Sequence, residues 1–83
     1  MKRDAIQAKL KEIIGREGFV EEEVTPNASL RDDLGMDSLD LVEMVIDVET
    51  EFGLDISDAI ADKWQTVGQV LDYLEKEKEC SHD

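Results

Sequence analysis

The chain has 83 residues, 41% hydrophobic and 37% charged, enough for one domain around one modest core. Nine basic against 22 acidic residues give a net charge of −13, and 15 of the acids fall between Glu17 and Asp62, where Arg31 is the one base. That surface repels nucleic acid and anionic lipid and favours basic proteins as partners. A lone cysteine, Cys80, excludes an internal disulfide, and one Cys with one His (His82) in a tail makes no metal-ligand set. The basic N-terminus is followed by no apolar signal core, and no run is long enough to span a membrane. A monomeric cytoplasmic chain, one domain over residues 1–83, is the expectation.

Ile6, Leu10, Ile13 and Ile14 recur at i, i+4, i+7 and i+8 and predict a first helix over about 2–16, with Gly15 and Gly18 bracketing its end. Residues 17–36 have no helical period. Phe19, Val20, Val24, Leu30 and Leu34 predict a long loop pinned to the core by its own side chains, with a short turn of helix in it. Thr25, Pro26 and Asn27 mark a turn.

A second helix is predicted from Asp37, as its cap, to about Phe52, with Gly53 as its stop. At about 100° per residue, Asp40, Glu43, Asp47, Thr50 and Glu51 share one arc. Met44, Val48 and Phe52 form one apolar edge beside that arc; Leu39, Val42 and Ile46 form the other. An ordinary surface helix buries a narrower stripe. Either this helix is covered on two sides, or one apolar edge is left for something to bind. Ser57 predicts the cap of a short third helix through Ile60 and Ala61. Thr66 with Gln69 predicts a capping box opening a fourth, whose buried face is Val67, Val70, Leu71 and Leu74. The charged tail is expected to fray from about residue 76. The fold class is all-α: a small four-helix bundle of three main helices and one short helix, with a long first loop.

Ser38 stands at the head of the acidic helix, after a turn at Gly35. A nucleophilic serine needs a base, and the one histidine is His82 in the tail; there is no G-x-S-x-G elbow either. Calcium fails on spacing: counted from Asp32 as an EF-hand loop, the third position is Leu34 and the sixth is Asp37 instead of glycine. What remains is a serine acted upon by another protein, because the first turn of a helix tolerates an added phosphate ester. A plain capping segment is the alternative reading of the four residues alone.

The extended segment Asp33-Leu34-Gly35-Met36-Asp37-Ser38-Leu39-Asp40 and the acidic helix after it closely resemble the acyl carrier proteins of dissociated fatty acid synthesis. Glu22 to Leu30 looks like that family's first loop, and Thr66-Val67 with Asp72-Tyr73-Leu74 like its last helix. The resemblance implies a non-catalytic carrier. Ser38 would be the attachment point for 4′-phosphopantetheine, transferred from coenzyme A by a phosphopantetheinyl transferase. The arm would carry acyl chains as thioesters to fatty acid synthesis enzymes, whose basic patches would dock on Asp37, Asp40, Glu43 and Asp47, with Leu39, Val42 and Ile46 as the apolar part of the contact. Val45, Ile56, Ile60 and Trp64 would line an acyl pocket, or serve as plain core. Leu41 stands where the family often has a small or polar residue, and Trp64 where a smaller aliphatic is usual. These departures keep open a dedicated carrier in a polyketide or other specialised pathway. An unmodified acidic helical adaptor is the reading from a different class.

Overall fold

Four helices follow one another: α1 (Arg3–Arg16), α2 (Ser38–Phe52), the single-turn α3 (Asp58–Ala61) and α4 (Val67–Cys80), with a 3-10 turn at Glu21–Glu23 inside the first loop. The structure, a computed structural model, describes residues 2–80, with side chains as far as Glu77; His82 and the end of the tail lie outside the described residues. The all-α expectation holds: among the described residues there is no strand, and the one β-type pairing is an isolated bridge between Ser29 and Thr66. No helix among them is long and apolar enough to cross a membrane.

α1 packs against both α2 and α4. It does so with the predicted stripe: Ile6, Leu10, Ile13 and Ile14 are fully buried, as are Val67, Val70, Leu71 and Leu74 of α4. Each such side chain contributes roughly 1.5–3 kcal/mol of burial before the cost of ordering the chain. Arg3 bonds Asp72 at 2.7 Å across α1 and α4, and Lys9 and Arg16 reach Glu51 at 3.7 and 3.9 Å across α1 and α2. Exposed pairs of this kind add little to stability.

The caps are where the sequence puts them. Asp37 accepts from the Asp40 N–H at 2.9 Å while Asp40 accepts from the Asp37 N–H at 3.1 Å, a reciprocal capping box. Gly53 ends α2 in the left-handed region, at φ 66°, which a side chain rarely tolerates. Ser57 accepts from the Ile60 N–H, and Gln69 from the N–H groups of Gln65 and Thr66 at 2.6 and 2.9 Å. α4 then continues to Cys80, past the point near residue 76 where fraying is expected. Its last residues are mostly Glu and Lys, straight-chain types that favour helix.

The first loop is held more firmly than its side chains alone predict. The N–H groups of Leu30, Val67 and Gly68 donate to Gln65, Ala28 and Pro26 at 2.9, 3.0 and 2.9 Å, stitching the loop to the start of α4. The backbones come so close that a Cβ on Gly68 would sit 2.8 Å from the Pro26 oxygen. Val24, Leu30 and Leu34 are buried and Phe19 packs partly against the core, as expected. Val20 is the exception and is exposed. It lies just before the 3-10 turn, and its neighbour Phe19 takes the inward position. Ala28 and Met36 are buried with the rest.

Candidate functional site

Ser38 is the first residue of α2 and is exposed. The capping box satisfies the N–H groups of Asp37 and Asp40, and Leu41 donates to Asp37. Among the described residues, nothing accepts from the N–H groups of Ser38 and Leu39. They stand free at the positive end of a helix, next to an accessible hydroxyl.

Downstream, α2 divides its apolar residues. Met44, Val48 and Phe52 are buried, whereas Leu39, Val42 and Ile46 are 65%, 54% and 53% exposed. α2 is therefore not covered on two sides: one apolar edge faces outward. The acids flank it. Asp37 and Glu43 are exposed and Asp40 and Asp47 half-buried, and no Lys or Arg among the described residues closes an ion pair with any of the four. Each N-terminal base that does pair reaches an acid elsewhere: Asp72, Glu75 or Glu51.

A cleft of about 890 Å³ opens beside α2 and α3, and Ser38 is among its lining residues. Its apolar wall is built from Met44, Val45, Ile56, Ala61 and Trp64, with Val42 and Ile46 from the outward edge also lining it. Two parts hold this wall in place. The Ile56 N–H donates to Glu49 at 2.7 Å, fixing the strand of chain after α2. The Trp64 ring, nearly buried, meets Tyr73 of α4 edge-on with centroids 5.7 Å apart. Polar residues surround the wall, among them Arg31, Asp58 and Asp62. The volume lies within the usual range of small-molecule sites.

The profile of the phosphopantetheine attachment site family matches residues 4–74 of this chain. The acyl carrier protein of Thermotoga maritima is 49% identical over 75 residues, spanning 89% of this chain and 93% of that protein. This chain belongs to the acyl carrier protein family.

An acyl carrier protein holds phosphopantetheine covalently and is a carrier, not an enzyme. The local chemistry fits that group: a phosphate ester on a first-turn residue meets unengaged N–H donors, and Ser38 itself lines the cleft that carries the apolar wall. Of the four residues expected to line an acyl pocket in this carrier, Val45, Ile56 and Trp64 line the cleft. Ile60 does not. It is half-buried and packs against the core, and its neighbour Ala61 takes the place on the wall. A one-turn helix turns by about 100° per residue, so adjacent positions face different surroundings. The carrier also has one group that the sequence pattern passed over. Glu17, the residue that caps α1 at its C-terminus, is set against the acidic face of α2, and its carboxyl is pushed up to about 8, first by burial and then by the Asp47, Glu43 and Asp40 carboxyls. No periodicity within α2 reveals a neighbour supplied by another element.

Proposed function

We propose that Ser38 is the attachment point of the 4′-phosphopantetheine arm, and that the arm carries acyl intermediates of fatty acid synthesis as thioesters from enzyme to enzyme. One observation carries this reading: an exposed serine at the head of α2, with unengaged first-turn N–H groups, that lines a cleft with an apolar wall. A phosphopantetheinyl transferase installs the arm. The enzymes that follow bring basic patches to Asp37, Asp40, Glu43 and Asp47, and apolar contacts to Leu39, Val42 and Ile46. Individually weak, salt-screened pairs suit rapid arrival and departure. Between deliveries the acyl chain lies in the cleft against Val45, Ile56 and Trp64, away from water. A cytoplasmic location fits this role.

Incubation with coenzyme A, Mg²⁺ and a broad-specificity transferase, followed by intact mass measurement, tests the assignment. The wild type gains one phosphopantetheine; Ser38→Ala gains none. An equal gain on the variant overturns it. Trp64 supports a second reading, a carrier dedicated to another acyl pathway, because a bulky ring in the wall reshapes the space for a chain. Charging by the malonyl transferase of fatty acid synthesis argues against exclusive service to such a pathway.

A further inference from the structure

Both carboxyl oxygens of Glu17 are sealed from solvent, and neither accepts a hydrogen bond from any N–H or O–H. What faces them is more acid. The Asp47 carboxyl lies within bonding reach, and Glu43 and Asp40 stand on the same side of α2, one and two turns toward its start. Among the described residues no Lys or Arg closes an ion pair with them. On α1, Arg16 and Lys9 are both directed to Glu51, and Arg3 lies at the far end with Asp72. In the first loop, the Glu21 side chain lies across Gly15. Two ionised carboxylates are acceptors only and cannot bond each other; one proton turns either into a donor. An ionised carboxyl buried without a partner is costly, and a like charge beside it raises that cost.

We propose that the buried Glu17 carboxyl keeps its proton and directs it at Asp47, latching the end of α1 to the middle of α2, and that a cationic partner arriving on α2 expels this proton to solvent. The second half rests on the docking role given to α2 above. With the proton in place, the face presented to partners is one charge less negative than the sequence count. The bond that breaks is the Glu17 O–H, and the partner's ammonium or guanidinium groups then neutralise the charge left behind. Glu17 is raised to about 8, so the exchange falls close to neutral pH. Affinity for a cationic partner therefore climbs as pH rises toward that value, by at most about tenfold per pH unit for one proton.

The test is a carboxyl-carbon NMR titration of the full chain, from roughly pH 4 to 9.5, spanning the ordinary glutamate value and the raised one. Glu17 is expected to titrate near 8. Asp47→Asn is expected to lower that midpoint, and a short oligolysine peptide at low salt to lower it in the wild type. A wild-type midpoint in the ordinary glutamate range overturns the retained Glu17 proton. A midpoint near 8 that oligolysine binding leaves in place overturns the expulsion. Neither result bears on Ser38, whose assignment stands or falls on the mass measurement.

Discussion

α4 and α2 are nearly equal in length and both amphipathic, yet they spend their apolar residues differently. α4 puts Val67, Val70, Leu71 and Leu74 entirely inside. α2 buries Met44, Val48 and Phe52 and leaves Leu39, Val42 and Ile46 in water, framed by unpaired acids. Solvent-facing side chains contribute little to folding, and a row of three near Ser38 fits the partner contact proposed above. α4 is a helix for stability. α2 serves stability on one edge and, in the docking role proposed above, recognition on the other.

The sharpest way to break this contrast is at Ser38. Ser38→Ala abolishes phosphopantetheine loading in the mass assay and leaves the thermal midpoint unchanged, because the exposed hydroxyl bonds nothing in the fold. Next in size is Leu71→Ala in α4, expected to destabilise by about 2–5 kcal/mol in a urea titration, from lost burial and a residual cavity. Ile46→Ala in α2 is the counterpart. It changes stability by less than about 0.5 kcal/mol but weakens binding to an acyl-transferring enzyme by about tenfold, roughly 1.4 kcal/mol, in calorimetry. If Ile46→Ala and Leu71→Ala cost the same stability, the division of labour is wrong. Thr66→Ala removes the oxygen that accepts from the Gln69 N–H at 3.3 Å and costs about 1 kcal/mol.

The finest effect is in pH. Glu17 is raised from 4.5 to about 8 on folding, so between those values the folded chain binds more proton than the unfolded one. Its contribution to stability is fully present below about 4.5 and is lost as pH rises through about 8. Thermal midpoints of the wild type are therefore expected to fall more steeply over that interval than those of Glu17→Gln, which has no proton to lose. Parallel slopes for the two proteins would remove Glu17 as the cause.

Much of this was legible in the chain. The three long helices follow from apolar spacing, their starts from Asp37 and Thr66, and the exposed serine from its place at a helix head. The wheel of α2 showed an excess of apolar surface but not which edge was free, because a single helix cannot say where its neighbours lie. Val20 was read as an anchor and faces water, since a loop has no period to fix which of two adjacent apolar residues turns inward. For Ile60 the sequence leaves pocket and plain core both open; it packs on the core while Ala61 lines the cleft, for a related reason: α3 is one turn long and gives no repeated spacing to check.

Local interactions act over three or four residues, and so the order of residues alone determined the helices, their caps and the acidic character of α2. The cleft wall shared by α2, α3 and Trp64, the seam of backbone bonds between Pro26–Leu30 and the start of α4, and the meeting of Glu17 with Asp47 join residues far apart in the chain. Only tertiary packing decided these, because burial and close approach depend on how helices are set against one another, which no local pattern encodes.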